Sequence, residues 1–386
     1  MKLIYEAVRG DVILFGTGRA ASRFLEIVPI MNIIFFVDNN EKKWGAFFNE
    51  RPIHPPSEII KSGISAKVII TSEYHDEIAN QLLGMGLEEN VHFYKAKDLL
   101  FEVYGGAYAP GHFYSPVPDV KKVIEERENI FRQANTDLPG INIDIKKQVE
   151  LLRALSVYYS SLPWGHSDKQ LRFTFNNRLF CETDSLILFS LLRHLQPKRI
   201  IEVGGGYTTA LMLDVRDIFT NVEFDLKTIE PYPDRLNSLL GGTTQDCFEL
   251  IQKPVQGVDL SCFDKLQSGD ILFVDSSHVS KVGSDVNYIL FEIIPRLKEG
   301  VYIHFHDIFF PFEYPENWIA KGRYWNEAYL LRAFLQFNQN YQIVFWNDMA
   351  HKLFKDEMES MMPLSVKNSG GSLWLQKVRN QVTINE

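Results

Sequence analysis

The chain is poor in cysteine. Its 386 residues hold three, Cys181, Cys247 and Cys262, an odd number set far apart. That spacing excludes a disulfide framework and offers no zinc-binding pair, so a reducing compartment is expected. Long apolar runs are also missing. The longest, IVPIMNIIFFV, is interrupted by Pro29 and Asn32 and is too short to span a bilayer. The first residues, MKLIYEAVRGDVILFG, put acidic side chains where a secretion signal needs an apolar core. Basic charge is in the minority: 40 Lys and Arg against 49 Asp and Glu leave a net charge of −9. That sign disfavours a general nucleic-acid or anionic-membrane surface, while allowing a local basic pocket. The expectation is a cytoplasmic protein with no membrane span and no nucleic-acid partner.

What is present reads as a globular α/β chain. Hydrophobic residues make up 45% and charged residues 23%, and the length predicts two or three domains. Over residues 1–100, strands are predicted at 11–17, 32–38, 66–72 and 90–96, with helices at RAASRFLEIV and YHDEIANQLLGMG. Unbroken apolar strands joined by helices indicate a parallel sheet covered on both faces. Residues 101–170 differ. YGGAYAPGHFYSPVPD is expected to be irregular, and VKKVIEERENIFRQA and IDIKKQVELLRALSVYYSSL to be two helices, together a linker or a lid. A second α/β unit fills 171–386. A helix, DSLILFSLLRHLQPK, is stopped by Pro197, and strands follow at 199–204, 225–231, 248–253, 270–277 and 300–307. Two late strands, 340–348 and 371–378, show no clear helix between them and suit an antiparallel pair at a sheet edge. The predicted fold class is α/β, with two doubly wound, Rossmann-like domains.

The stretch IIEVGGGYTTALML runs strand, three glycines, helix. Glycine lets a ligand approach the backbone, and the helix start adds free N–H donors. Glu202 precedes the turn. The next strand ends in Glu230, placed to accept both hydroxyls of a ribose. This pairing is the nucleotide-binding logic of doubly wound sheets. The turn lacks G-x-G-x-x-G spacing and a phosphate-binding lysine, which disfavours NAD and ATP. Glu202 would repel a pyrophosphate but suits a sulfonium or amino group, as in S-adenosylmethionine.

RIIEVGGGYTTALML, TIEPYP, DILFVDSSHVSKVGSDVNYILFEIIPRLKEGVYIHFHDIFFPFEYP and WNEAYLLRAFL resemble class I S-adenosylmethionine-dependent methyltransferases, most closely the bacterial branch known as methyltransferase family 24. The resemblance reaches back to GHFYSPVPD and covers roughly residues 105–380. It implies a seven-stranded sheet with an antiparallel edge pair. It also implies that Glu202, Gly204 and Gly206 hold the methionine end and Glu230 the ribose, with Gly205 and Asp275 counted at the cofactor.

Asp275 ends one strand, with His278 three residues on; His306 and Asp307 end the next. Ligands of open α/β sheets bind beyond such strand ends. Alternation puts His304 and His306 on one face and Asp307 on the other, unless the turn re-aims it. Two chemical readings stand open. In one, Asp275, His306 and Asp307 hold a divalent cation, Mg²⁺ or Mn²⁺ among the candidates, as catechol-type and some macrolide-sugar O-methyltransferases do at the same strand ends by resemblance. In the other, no metal is used and His278 or His306 is a general base. A third reading has Asp275 and Asp307 as helix caps. His304 is read as structural. Phe309, Phe310, Phe312, Tyr314 and Trp318 either line the cleft mouth or pack. Glu327 is expected on the exposed side of its helix.

In the first unit, Gly16, Gly18 and Ala21 form G-x-G-x-x-A between a strand and a helix, and Asp38 ends the next strand. That context fits a nucleotide site, and VDNNEKKWG with the following RPIHPPSEI resembles small Rossmann-like domains of bacterial polysaccharide- and sugar-modifying proteins. No catalytic constellation accompanies it, and His54 and His75 read as surface residues. The favoured function is methyl transfer from S-adenosylmethionine to an oxygen of a sugar, a polysaccharide precursor or a secondary metabolite. The rivals are a non-catalytic nucleotide-sugar sensor or scaffold and a nicotinamide enzyme using Gly16 to Asp38. A homo-oligomer is compatible with either class.

Overall fold

The computed structural model describes residues 2–28, 30, 32–61, 66–72, 74–104, 108–131, 138–164, 171–241 and 248–379. It divides into two compact units, 1–125 and 126–386, so the stretch 101–170 is shared between them.

The first unit is a six-stranded sheet of β1 (Val12–Phe15), β2 (Ile33–Val37), β3 (Phe47–Phe48), β4 (Arg51–His54), β5 (Lys67–Ile70) and β6 (Phe93–Lys95), in the order β3-β4-β2-β1-β5-β6. Side chains alternate along a strand. Val12, Leu14 and Phe36 therefore pack with Phe24 on one face, while Ile13, Phe15 and Val37 pack with Ile78 and Leu82 on the other. Two buried faces explain the unbroken apolar runs. The sheet is parallel except for the β3–β4 hairpin. That hairpin had no sequence signal: β3 is two residues long, and its turn places Asn49 and Glu50, not glycines, at positive φ.

The second unit is a seven-stranded sheet of β7 (Arg199–Val203), β8 (Asp225–Ile229), β9 (Glu249–Ile251), β10 (Ile271–Val274), β11 (Tyr302–Phe305), β12 (Tyr341–Trp346) and β13 (Leu373–Lys377), ordered β12-β13-β11-β10-β7-β8-β9. β13 lies antiparallel to both β11 and β12, and the other pairings are parallel. The expected edge pair is thus present. The expected lack of helix between its strands is corrected: Asn347–Leu353 and Lys355–Met361 are helical there. They are short, and the aromatic and Met residues around them blur the helical period. The long helix expected from 120 is also two pieces, Val120–Glu125 and Arg127–Ile130; its last residues, 132–134, lie outside the described residues. No helix among the described residues is long and apolar enough to cross a membrane.

Two helices set the site. Glu182–Leu195 is buried continuously from Thr183 to Leu192, so it runs through the core rather than on it. Tyr207–Ile218 follows the glycine turn and is buried from Thr208 to Val215.

Candidate active site

The glycine turn is tied down from beneath. Glu202 on β7 is fully buried. Its Oε1 accepts from Thr208 Oγ1 (2.5 Å), and its Oε2 from Thr209 Oγ1 (2.6 Å) and Thr228 Oγ1 (2.8 Å). Burial pushes its carboxyl up to about 7 against those three hydroxyls. The expectation that Glu202 reaches the methionine end is therefore revised: both oxygens are used to lock the turn to its helix and to β8. Gly204 has φ +90°, and a Cβ there would run into the carbonyl oxygen of Asp275. A Cβ on Gly205 would crowd Thr228 and Leu236, whereas Gly206 is open. Glu230 stands where the sequence put it, half-buried at the end of β8. It accepts from Gly205 N (3.1 Å) and Tyr232 N (2.7 Å). Each oxygen keeps lone-pair capacity for a further donor.

Beside the turn, four strand-end groups form a ring. His278 Nε2 lies 3.4 Å from Asp275 Oδ1 and 3.6 Å from Asp307 Oδ2. His306 Nδ1 lies 3.5 Å from each of the same two oxygens. Two members hold backbones that L residues rarely adopt, His278 at φ +60° and Asp307 at φ +56°. Such conformations cost about 1 kcal/mol or more and cluster at functional sites. For Asp307 the left-handed turn undoes strict alternation and brings its carboxylate round to His306.

Behind each imidazole stands a buried carboxylate. Glu327, 1% exposed, meets His278 Nδ1 at 2.9 Å through Oε2 and accepts from Ser276 Oγ through Oε1. Its expected exposure is corrected: it faces the core with Leu331 and Leu335, at i, i+4 and i+8. Asp184 Oδ2 lies 3.5 Å from His306 Nε2, a nitrogen without a hydrogen bond of its own. Asp184 was not singled out from sequence. An acid in the first turn of a helix reads as a complement to the dipole, and only its wholly buried surroundings mark it as more.

The charges follow from this packing. Burial opposes a cationic His278, but Asp275 and Glu327 outweigh it and push the imidazole up to about 10. His306 is likewise raised, by Asp307, Asp275 and Asp184 against its burial. Burial alone would raise Asp275, yet the two imidazoliums hold it well below the usual carboxylate range. A free general base at His278 or His306 near neutral pH is thus not what the geometry provides. Among the described residues no group of three or more His, Cys, Asp or Glu side chains is placed to hold a metal ion; His306 instead faces Asp275 and Asp307 as ion pairs. His304 is structural as expected, buried, stacked on Phe273 at 3.7 Å and bonded to Ser372 Oγ.

The aromatics after β11 divide. Phe310 and Phe312 are buried against Trp346. Phe310 also walls, with Phe309, Tyr314 and Phe131, a cavity of about 430 Å³ whose polar groups include Glu313, Asp348 and Lys352. Trp325 covers the His278 ring at 4.3 Å.

In the first unit a cavity of about 540 Å³ opens on Gly16, Gly18 and Asp38. Asp38 Oδ2 is already engaged by Thr17 N (3.2 Å), Thr17 Oγ1 and Lys43 Nζ (2.8 Å). Asp38, expected at a nucleotide site, uses this oxygen to brace its own turn. His54 lies in β4, edge-on to Phe35, and His75 opens the helix His75–Gly84.

Residues 201–308 match the family described as "Methyltransferase domain", and residues 9–92 match "C2185-like, N-terminal". An uncharacterized protein of Archaeoglobus fulgidus is 36% identical over 174 residues, 43% of this chain and 77% of that protein. The chain belongs to one family with this archaeal protein, and its second unit is a class I S-adenosylmethionine-dependent methyltransferase domain. Solved structures similar to the chain include the O-methyltransferase TomG of Streptomyces achromogenes in complex with SAM (14% identity, 62% of this chain and 92% of that one, TM-score 0.34). Another is a putative O-methyltransferase from Klebsiella pneumoniae (14% identity, 66% and 97%, TM-score 0.34). Neither bears on the role of any residue in this methyltransferase domain.

Proposed function

We propose that the methyltransferase domain moves a methyl group from S-adenosylmethionine to a hydroxyl oxygen of a small acceptor, a sugar or a secondary metabolite. One observation carries the reading: Asp275 borders both halves of the site. Its carbonyl packs under Gly204 of the turn, and its carboxylate is a corner of the ring. A cofactor held by Gly204 to Gly206 and Glu230 therefore has its reacting end beside the ring.

The transfer breaks the sulfonium–methyl bond and forms an oxygen–methyl bond. S-adenosylhomocysteine leaves, and the hydroxyl proton passes to water. Such a displacement needs in-line approach, so much of the rate comes from positioning. With Glu327 and Asp184 behind the two imidazoles, four carboxylates surround them, and that surplus of acid suits a divalent cation held by Asp275, His306 and Asp307. When bound, that cation would lower the acceptor's pKa and fix its oxygen. The cavity walled by Phe309 and Phe131 would offer an aromatic face to a sugar or aromatic acceptor, and Trp325 packs over the His278 ring.

The test uses the full chain. Calorimetry with S-adenosylmethionine and S-adenosylhomocysteine should show binding. Incubation with methyl-labelled cofactor and a panel of sugars and phenols, with Mg²⁺ or Mn²⁺, should give an oxygen-methylated product by mass spectrometry. No binding of either cofactor form would overturn the reading.

A further inference from the structure

The cavity of about 430 Å³ that Phe131 and Phe309 wall is rich in acid. Its ionisable lining sets Glu313, Glu316 and Asp348 against Lys352. Arg127 meets Glu316 at 3.5 Å, and Lys352 gives its ammonium to Asp348 Oδ2 (2.7 Å) and to the carbonyl oxygen of Phe310 (2.8 Å). Two carboxylate oxygens are left over. Asp348 is 3% exposed. Its Oδ2 accepts from Phe310 N (2.9 Å) and pairs with Lys352, while among the described residues nothing is bonded to Oδ1. Glu313 accepts from Tyr314 N (3.1 Å) and Tyr329 Oη through Oε1, and Oε2 is unbonded in the same sense. Burial pushes the Glu313 carboxyl up against those two donors. A carboxylate oxygen taken out of water without a donor is costly. On the wall of a cavity, it is placed to receive one from a ligand.

We propose that this cavity binds a protonated amino group, so that the methyl acceptor is an amine-bearing sugar or aromatic compound held as its ammonium ion. This rests on the reading of the cavity as the acceptor's site and deepens it by naming the acceptor's charge. Ammonium N–H groups would supply Asp348 Oδ1 and Glu313 Oε2 with charge-assisted hydrogen bonds. A cation near an aromatic face is attracted to it, and Phe131 and Phe309 bring two rings to the same wall. An acceptor carrying a phosphate or a carboxylate would instead meet these two acids, with Lys352 already engaged. The bond from Phe310 N anchors Asp348 to the segment that runs on from Asp307. The amino-group site and the ring of strand-end groups thus share one stretch of backbone. Asp348 and Glu313 are then the residues that set specificity, apart from the ring.

The experiment is calorimetric titration of the full chain, near neutral pH and at low salt, with phenethylamine and with phenethyl alcohol, its neutral counterpart of nearly the same shape. Phenethylamine should bind about ten- to a hundredfold more tightly, the weight of hydrogen bonds to a charged group. Asp348→Asn keeps an oxygen for Phe310 N and offers the cavity an amide in place of a charge, so it should erase most of that preference. Glu313→Gln should reduce the preference in the same direction. Circular dichroism checks that each variant is folded, and Glu313→Gln carries the test if Asp348→Asn is not. The inference falls if wild type binds the amine no better than the alcohol, if it binds neither, or if the folded variants keep the full preference. Titration of the same preparation with S-adenosylhomocysteine separates the two readings. Heat from that ligand without an amine preference removes the ammonium alone. An amine preference without heat from that ligand removes methyl transfer and leaves the cavity as an amine site.

Discussion

Gly204 and Asp275 share one van der Waals contact, in which the absent Cβ of the first makes room for the carbonyl oxygen of the second. The contact couples the turn that would hold the cofactor to the strand end that would hold the acceptor. Gly204→Ala must therefore move one of them and also strain a backbone at φ +90°. We expect a loss of stability of about 1–3 kcal/mol, the usual weight of a strained conformation, together with lost cofactor affinity. Chemical denaturation and calorimetry on the same preparation check both.

Glu230 should matter for binding more than for folding. Glu230→Ala removes a charged acceptor facing the turn. Losing such hydrogen bonds costs about 1.5–3 kcal/mol, roughly ten- to a hundredfold in the dissociation constant of S-adenosylhomocysteine. Unchanged affinity would place the ribose elsewhere.

Glu202 should give stability a pH dependence. Its carboxyl is pushed by burial to about 7 in the folded chain, against about 4.3 in an unfolded one. The neutral form is thus favoured by folding. Its contribution is full below about pH 4.3 and is lost as pH rises through 7, about 4 kcal/mol in all. Glu202→Gln stays neutral throughout. The difference in unfolding free energy between wild type and variant should therefore shift against wild type from pH 4.5 to 8. A flat difference would mean that the threonines hold the charged form without penalty.

Asp184 should behave as a keystone for folding. It accepts from Gly371 N (3.0 Å), Ser372 N (2.9 Å) and Asn347 Nδ2 (2.8 Å), and faces His306. Asp184→Ala would strand these buried donors, at a cost of about 3 kcal/mol or more. Thermal melts of the two chains test this, and a shift of a degree or less would be inconsistent with it.

Chelation should abolish methyl transfer, and Mn²⁺ should restore it. Asp275→Asn and Asp307→Asn should not regain activity with added metal, yet should still bind S-adenosylhomocysteine. Activity that survives exhaustive chelation would remove the cation from the reaction.

The sequence made the sheets legible because their strands are continuous apolar runs and their glycines sit at fixed places. Asp275, His278, His306 and Asp307 were legible as a group, because strand ends of a parallel sheet meet at one edge. Their partners were not. Glu327 lies in register with Leu331 and Leu335, a helical spacing that marks a buried face, yet a glutamate there reads as solvent-facing until its partner is known. Glu202 was placed correctly and aimed wrongly, because a strand residue's neighbours are set by register, and Thr228 sits across from it. Asp307 escaped alternation through one left-handed backbone, which no residue type announces.

The bond between Asp184 and Gly371 spans 187 residues of chain. β13, which begins two residues after Gly371, is last in chain order among the described strands and yet lies between β11 and β12. On the ribosome every ring donor emerges well before the backbone that seats Asp184 behind His306. The nascent chain thus carries the full set of acids and imidazoles while their supporting wall is still missing. Assembly of the site is consequently a late event, and a protein cut short before Gly371 would keep all its ring residues without the geometry that makes them one.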